Sequence, residues 1–555
     1  MLGIAGTVRV GSHCRRGSKM RGRVVEGRKQ NAHLARRDFL KTAAAGAGGA
    51  ALAGFGASEA GVVQFGEVRK WDHEAGIVVL GIGGSGLATA IVARDLGTDV
   101  LMLEKAKESH AGGNSRVSMQ GFWCPPDYNQ AVIHQRALND GFPVPDEMIE
   151  AYHQYTTKNP DWLRKIGAQI IQPASGNASR AEYPEFPGAE SAAVCFLDNG
   201  KGQAGSGFQR LWTMLRDSAV KRQVTIMYET PGIELIQDCK TREIRGVVAE
   251  KQGKRIYVKA KKALVLCTGG FENNQGMIRD YLSMPCGYPF GTPYNTGDGI
   301  RMAMAVGADL WHMDSQAGPT LSFKPPDFDF ALGGGGAPRN RGFIWVAKDG
   351  TRFINENTPS KHGKIAYHGT YIQLPTPLPI HSIFDEAGRK SGPLFTLGGN
   401  MGWNAMIERY KWSDDNSVEL AKGWIIKADT IRELAAKIGK NPDTLEKTLA
   451  TWNKSCAAGN DSEFGRPSDR IAPIQTPPYY ALELVPTFTN TQGGPRRNKN
   501  AQILDPYGKP IPRLYSAGEL GSLWSWNYQG AGDFAECLAF GRIAGEHAAA
   551  EKPWS

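Results

Sequence analysis

The chain has 555 residues, of which 41% are hydrophobic and 22% charged, as in an ordinary globular protein with more than one domain. Its formal net charge is +10, but residues 1–60 hold eleven Lys and Arg against three acids and account for +8 of that charge. The remainder is close to neutral, which argues against a nucleic-acid-binding surface. The eight cysteines form no CxxC pair, so the sequence predicts no metal, cluster or CxxCH haem site. Cys267 and Cys537 lie in apolar runs and are expected to be buried thiols.

Residues 1–60 are first basic and then small and apolar. Positions 36–41 read RRDFLK and precede a segment rich in Ala and Gly at positions 42–57. That segment is too short and too weakly hydrophobic to be a stable membrane span. The pattern predicts a twin-arginine signal peptide and export to the periplasm or the exterior of the cell envelope. A basic disordered tail with a chance arginine pair is the alternative.

Residues 76–105 have the pattern of a strand, a glycine-rich turn, a helix and a second strand that ends at Glu104. In such a GxGxxG turn the first glycine allows the bend, the second lets the backbone approach a pyrophosphate, and the third lets the helix pack closely. Glu104 is placed to accept a hydrogen bond from a ribose hydroxyl. The stretch therefore predicts a dinucleotide site with contacts from Gly81, Gly83, Ser85, Gly86, Glu104 and Lys105.

Three later segments fit the rest of a flavin nucleotide, because glycines permit close backbone approach. They are the GGNS block with the glycine that follows it at position 121, the end of an apolar strand at positions 263–267, and the NTGDG block at positions 295–299. Asp298 in the last block is either a helix cap or a polar contact to the nucleotide. The predicted contacts are Gly112, Gly113, Asn114, Ser115, Gly121, Thr268, Gly269, Gly270 and Asp298.

Taken in order, these blocks resemble the FAD-dependent fumarate reductase and succinate dehydrogenase flavoprotein family, which includes flavocytochrome fumarate reductases and 3-ketosteroid dehydrogenases. The motifs that carry the resemblance are VLGIGGSGLATA, GGNS, LVLCTGGFENN, NTGDGIRMAMAVGA, SQAGPTLS, GTRFINEN, LYSAGELGS and CLAFGRIAGEHAA. The resemblance implies an α/β fold with a Rossmann-like FAD-binding domain built from two segments, residues 61–318 and 490–555. An α+β capping domain, residues 319–489, is inserted between them.

The resemblance also implies that FAD is bound non-covalently. It places Glu519 of the AGE block near the ribityl chain. Asp533 and Phe534 lie at the start of the last helix, whose amino end points at the flavin ring. The positive end of a helix would stabilise an anionic reduced flavin.

The positions that hold dicarboxylates in fumarate reductases are occupied by other residues here. The resemblance places Gly318 where those enzymes have a histidine and Ser360 where they have the proton-donating arginine. The stretch at positions 521–529 lacks the second histidine and the second arginine. Because a small dianion needs guanidinium or imidazolium partners, the sequence predicts a substrate other than fumarate.

The YQGAG segment at positions 528–532 is similar to the YPGPG segment of 3-ketosteroid dehydrogenases. In those enzymes the tyrosine hydroxyl and a glycine amide bind the ketone oxygen, which implies the same roles for Tyr528 and Gly532. The tyrosine base of the steroid enzymes is missing near position 360. Proton transfer is therefore assigned to a nearby group, for which the candidates are Lys361, His362 and Tyr367. Trp524 and Trp526 fit either the core or the wall of a flat apolar pocket.

The sequence thus predicts an FAD-dependent oxidoreductase acting on a carbon–carbon bond next to a carbonyl or similar activating group, with reduction slightly favoured over dehydrogenation. The expected substrate is flat and largely apolar, such as a cyclic enone, a 3-ketosteroid or an arylacrylate. A separate carrier would exchange electrons with the enzyme. This carrier is expected to be a cytochrome, a quinol-linked protein or a soluble acceptor. The alternatives are a fumarate-like dicarboxylate reductase, an oxidase of the same fold, and a flavin-binding electron-transfer or sensor protein without its own substrate.

Overall fold

A computed structural model describes residues 61–172, 181–333, 335–358, 360–397 and 401–554. The predicted export signal at residues 1–60 lies outside the described residues. None of the helices in the described ranges is long and apolar enough to cross a bilayer.

A nine-stranded mixed sheet forms the centre of the nucleotide-binding part. His73–Leu80 pairs in parallel with Val100–Leu103 and with Lys254–Leu266. Alternate residues of His73–Leu80 contribute to two separate hydrophobic cores, because successive side chains of a strand point to opposite faces. In spatial order the strands are Val62–Gln64, Gly232–Gln237, Ile244–Lys251, Lys254–Leu266, His73–Leu80, Val100–Leu103 and Thr225–Met227, and Pro510–Ser516 with Gln502–Leu504 extends the sheet from Lys254–Leu266.

Helices cover both faces of this sheet. One face carries Gly84–Asp95, Arg210–Lys221 and the last helix, Gly532–Ala550, and the other carries Gln275–Leu282 and Asp298–Ala305. A Cβ on Gly541 would lie 2.6 Å from the carbonyl oxygen of Ser85, and one on Gly545 would lie 2.8 Å from that of Thr89. The two helices therefore touch backbone to backbone. The predicted α/β fold, with a Rossmann-like domain closed by a distant C-terminal segment, is confirmed.

The cap contains a six-stranded sheet around the long strand Tyr479–Phe488. Its other strands are Tyr288–Pro289, Thr320–Ser322, Phe343–Val346, Ile380–Asp385 and Ile425–Ala428, and its α-helices are Glu386–Lys390, Ser417–Ala421, Ile431–Lys437 and Pro442–Ala458. A separate hairpin is formed by Lys364–Tyr367 and Thr370–Gln373. Because Tyr288–Pro289 pairs with Thr487 and Phe488, the cap sheet also includes residues that precede the predicted boundary at position 319.

A buried network of charged side chains braces the cap. Arg352 lies 2.9 Å from Glu356 and 2.9 Å from Asp461, and Arg466 approaches Glu356 at 3.5 Å. All four side chains are almost completely buried, and removing one member of such a network leaves an uncompensated charge. Arg352 and Glu356 belong to the RFINEN block, so the network fixes the segment that runs on to His362.

A third group of elements packs against the end of the last helix. It contains the helices Tyr128–Leu138, Asp146–Thr156 and Asn159–Lys165 and a small sheet of Phe122–Trp123, Ile170–Ile171 and Val194–Leu197. A disulfide joins Cys124 to Cys195 across this sheet, over 71 positions of sequence. The sequence did not predict it, whereas the prediction of buried free thiols at Cys267 and Cys537 is confirmed.

Candidate functional site

The predicted nucleotide turn lies where His73–Leu80 ends and the helix Gly84–Asp95 begins. Gly81 has φ +98°, and a Cβ there would clash with the carbonyl oxygen of Cys267. A Cβ on Gly86 would clash with the carbonyl oxygen of Gly81, so neither position admits a side chain. At Gly83 the nearest atom to a Cβ is 3.4 Å away. This glycine therefore faces an open cleft, as the approach of a pyrophosphate requires.

Glu104 ties the second strand to this turn. Its carboxylate accepts hydrogen bonds from the amide of Ile82 at 3.2 Å and from that of Ala106 at 2.8 Å. Burial raises the pKa of Glu104, and these amides oppose the shift. The side chain lines the cleft beside the turn, where a ribose hydroxyl would meet it.

This nucleotide cleft collects most of the predicted cofactor contacts. Lys105 and Asp298 form an ion pair at 2.6 Å, and Asp298 also pairs with Arg301 of its own helix at 2.7 Å. The predicted contacts that line the cleft are Gly81, Gly83, Ser85, Glu104, Lys105, Gly113, Asn114, Ser115, Thr268, Gly269, Asp298 and Glu519.

Three predicted contacts serve packing instead of lining the cleft. Gly86 packs on the turn itself. A Cβ on Gly112 would lie 2.5 Å from the ring of Trp212, and one on Gly270 would clash with the hydroxyl of Thr491. Protein atoms occupy the space beside these glycines and they are not part of the cleft lining, so a backbone contact from them to the cofactor stays a prediction.

Two carboxyl groups meet Asn114, those of the buried Glu272 and the partly exposed Glu519, and of these Glu519 lines the cleft. The Asn114 amide donates to Glu272 at 2.7 Å and to Glu519 at 3.2 Å. Burial raises the pKa of both acids, and their mutual repulsion raises that of Glu519 further. Thr268 Oγ1 is buried and has no hydrogen-bond partner among the described residues. A polyhydroxylated chain such as the ribityl group of FAD would satisfy these groups, so the residues present fit the cofactor.

A second cavity, the substrate cavity, adjoins the nucleotide cleft and shares Asn114, Ser115, Glu519 and Cys537 with it. Its volume is about 300 Å³. Its walls are apolar at Val117, Met119, Phe290, Met401 and Phe534, and its polar side includes Glu182, His362, Tyr528 and Asp533. Gly121 also lines it. Within the described ranges no Lys or Arg is part of the lining, so the cavity lacks the usual partners of a dicarboxylate.

Tyr528 presents its hydroxyl at the start of the last helix. The Asp533 amide donates to the hydroxyl oxygen at 3.3 Å, which leaves the hydroxyl proton available to an acceptor. Burial raises the pKa of Tyr528 well above 10, and the nearby Asp533 adds to the shift. The phenol therefore stays protonated and can donate a hydrogen bond to a substrate oxygen.

Asp533 itself lies in the first turn of the helix Gly532–Ala550. One carboxylate oxygen accepts a hydrogen bond from Asn490 at 2.8 Å, and the other, Oδ1, has no partner in the described part of the chain. Burial and the nearby Glu536 raise the pKa of Asp533 to about 7. A carboxyl group at this position offsets the positive helix end that the sequence suggested for an anionic flavin.

His362 packs directly against Tyr528 in the wall of the substrate cavity. Its Nε2 lies 2.9 Å from Glu182, and its ring centre is 4.7 Å from that of Tyr528. The amide of Gly318 donates to the carbonyl oxygen of His362 at 2.8 Å, and a Cβ on Gly363 would clash with the Gly318 backbone. The close approach of this segment to the Gly318 backbone therefore requires a glycine at position 363.

The other predicted catalytic residues lie elsewhere. The Gly532 amide donates to the carbonyl oxygen of Gln529 at 3.0 Å, so it is not free to bind a ketone. Lys361 pairs with Glu185 at 3.0 Å outside the cavity. Tyr367 is 53% exposed at the end of a hairpin, whose turn places its side chain in solvent. We correct these three assignments and retain Tyr528 and His362. Neither Trp524 nor Trp526 lines the cavity.

Sequence reasoning missed Glu182 and Phe290. Glu182 lies in no motif and reaches the site because its carboxylate accepts a hydrogen bond from Gly530, 348 positions later. Phe290 directly follows Tyr288–Pro289, the short strand that joins the cap sheet. Neither position carries a local pattern, so only the tertiary fold could reveal it.

Comparison with known proteins gives a consistent result. A family described as FAD binding domain matches residues 76–534. A fumarate reductase (cytochrome) of Shewanella frigidimarina is 28% identical over 85% of this chain and 76% of its own length. A vinyl phenol reductase of Lactiplantibacillus plantarum is 26% identical over 85% of this chain and 96% of its own.

A solved structure is similar over its full length. It is a 3-ketosteroid delta1-dehydrogenase from Sterolibacterium denitrificans, determined with 1,4-androstadiene-3,17-dione. Its TM-score is 0.68 at 24% identity, and the match covers 86% of this chain and 100% of that one. At this identity the similarity concerns the fold.

The open face of Gly83 yields a test of the cleft. Gly83→Ala keeps an allowed backbone, since φ is −66°, but places a methyl group where the pyrophosphate would lie. We expect the dissociation constant for FAD to rise at least about tenfold with little change in the melting temperature of the apoprotein. Flavin fluorescence titration and thermal unfolding measure the two quantities.

Gly66→Ala is the matched control, because a Cβ at Gly66 meets nothing within 4 Å. Equal FAD affinity in both variants would show that the pyrophosphate does not approach Gly83.

Proposed function

The chain belongs to the FAD binding domain family, and on this premise we propose that it reduces a carbon–carbon double bond in a flat, uncharged substrate whose double bond is conjugated to a carbonyl or similar group. Its relatives are FAD-dependent oxidoreductases acting on carbon–carbon bonds. The finer assignment of substrate and direction is our proposal.

The observation that carries the proposal is the presence of Tyr528 in a cavity whose lining, among the described residues, contains no Lys or Arg. The Tyr528 hydroxyl is the polar donor at the cavity wall, and its oxygen is fixed by the Asp533 amide. The carboxyl groups of Glu182, Asp533 and Glu519 line the same cavity, and none of them offers a carboxylate substrate a positive partner. The vinyl phenol reductase and the ketosteroid dehydrogenase are named for uncharged compounds, which supports this choice.

The chain's own residues bind the substrate and move the proton. Bound FAD supplies the hydride that adds to one alkene carbon. Tyr528 donates a hydrogen bond to the activating oxygen and stabilises the charge that develops on it. His362 transfers a proton to the other alkene carbon, since general acid catalysis needs a poised donor within reach. Phe290, Met119 and Met401 pack on the flat body of the substrate and exclude water.

The proposal also covers the electron donor of the enzyme and its cellular location. Because the sequence contains no CxxCH motif, we assign reduction of the bound, non-covalent FAD to a separate carrier, either a cytochrome, a quinol-linked protein or a soluble donor. The RRDFLK pattern supports export by the twin-arginine route. The Cys124–Cys195 disulfide agrees with an oxidising compartment, where such bonds persist.

A substrate panel tests the reaction. The holoenzyme is reduced with dithionite without oxygen, and reoxidation is followed by flavin absorbance after adding fumarate, urocanate, cinnamates or uncharged enones. We expect uncharged enones to reoxidise the enzyme and fumarate to do so poorly. Rapid reoxidation by fumarate would contradict the proposal.

Tyr528→Phe tests the oxygen-binding role with the best substrate of that panel. Losing one oxyanion donor should lower the rate by roughly ten to a thousandfold. Tyr371→Phe is the control, because the Tyr371 hydroxyl contacts Lys361 at 2.6 Å outside the cavity. Equal rates in wild type and Tyr528→Phe would remove Tyr528 from the mechanism.

Export is tested by replacing Arg36 and Arg37 together with lysine. Because the arginine pair is the recognised feature of the signal, we expect the protein to move from the exported fraction to the cytoplasm. Fractionation followed by immunoblotting measures this, with Arg15 and Arg16 replaced as the control pair. An unchanged distribution would support the basic tail instead.

A further inference from the structure

We propose that Glu182 is a positioning residue that holds the His362 ring with Nδ1 toward the substrate cavity, so that the pair delivers the proton for alkene reduction. The inference rests on the proposed function and adds a residue that no motif indicates.

Glu182 is held at both its backbone and its side chain. Its amide donates to Gln529 Oε1 at 3.0 Å, and its carboxylate accepts from the Gly530 amide at 3.1 Å. The same carboxylate lies 2.9 Å from His362 Nε2. The pair therefore connects the segment before the last helix to the His362 segment, directly over Tyr528.

The contact at Nε2 selects which nitrogen meets the substrate. A carboxylate partner keeps a proton on Nε2, so proton exchange is left to Nδ1. Among the described residues Nδ1 has no hydrogen-bond partner, and the His362 side chain remains 26% exposed in the cavity. The Glu182 and His362 arrangement thus resembles the carboxylate and imidazole couples in which the acid orients the ring.

The surrounding charges favour the protonated ring. The titratable groups that face His362 are Glu182, Asp533, Tyr528 and Lys364. Burial lowers the pKa of His362, but Glu182 and Asp533 raise it by more, and Lys364 opposes them, so the net shift is upward. The pKa of Glu182 is lowered despite burial because His362 and the Gly530 amide stabilise its charge.

The proton step balances with the hydride that FAD supplies. The Nδ1–H bond of His362 breaks, and a C–H bond forms at the alkene carbon that did not receive the hydride. The π-electron pair of the alkene becomes that bond, and His362 is left neutral, with its remaining proton on Nε2 in the hydrogen bond to Glu182. Water that reaches the exposed part of the His362 side chain, which is 26% accessible, restores the Nδ1 proton.

The test compares Glu182→Gln, Glu182→Asp and Glu185→Gln. Glu185 lies three positions away and pairs with Lys361 outside the cavity, so it is a matched control for losing a carboxylate. Two quantities are measured on the holoenzyme as pH is varied. One is the rate at which an enone reoxidises the reduced flavin. The other is the pH titration of the His362 imidazole signal in NMR spectra, and that signal is assigned because it is absent from the spectrum of His362→Gln.

In wild type we expect the rate to fall as pH rises through the titration of His362, because the protonated ring is the donor. In Glu182→Gln the fall in reoxidation rate and the NMR titration of His362 should both move to lower pH. For each pH unit by which they move, the rate at alkaline pH should drop about tenfold. Glu182→Asp should restore most of the wild-type profile, and Glu185→Gln should keep it.

An unchanged His362 titration in Glu182→Gln would overturn the proposal, as would a rate profile that stays in place while the titration moves. Failure of the proposed function gives a different result. In that case no alkene reoxidises the wild-type enzyme, and the NMR titration still decides whether Glu182 controls His362.

Discussion

The close contact between the last helix and the nucleotide-binding helix determines where the chemistry takes place. Glycines at 541 and 545 let the backbone of Gly532–Ala550 rest on that of Gly84–Asp95, and Thr89 Oγ1 donates to the Gly541 carbonyl oxygen at 2.9 Å. Because a side chain at either glycine would push the helices apart, the contact requires glycine at both positions, 541 and 545. It brings Tyr528 and Asp533 beside a turn more than 400 positions earlier in the chain.

The distribution of charge around this contact determines what can bind. Arg497, beneath the last helix, is paired with Glu536 and is not part of the lining of the substrate cavity. The acids of the cavity are either bonded to His362 or buried with raised pKa values. A carboxylate would have to displace these contacts, whereas a neutral ketone needs only the Tyr528 hydroxyl.

Much of the site followed from local sequence, and the remainder depended on tertiary contacts. Gly81, Gly83 and Glu104 were predictable because strand, turn and acidic residue lie within one short stretch. The Gly532 assignment failed because the sequence could not show that this amide is used by Gln529. The catalytic assignment of Tyr367 failed because the turn at His368 and Gly369 places this residue at the tip of a hairpin. Glu182 and the Cys124–Cys195 disulfide bridge long sequence separations, so no local pattern marks them.

A binding measurement on a matched pair of ligands tests the central claim most directly. Benzylideneacetone and cinnamate share an arylalkene skeleton and differ in carrying a neutral ketone or a carboxylate. Each is titrated into the oxidised holoenzyme at neutral pH, and binding is followed by the shift in flavin absorbance. The account predicts that the ketone binds at least about tenfold more tightly, and tighter binding of cinnamate would contradict it.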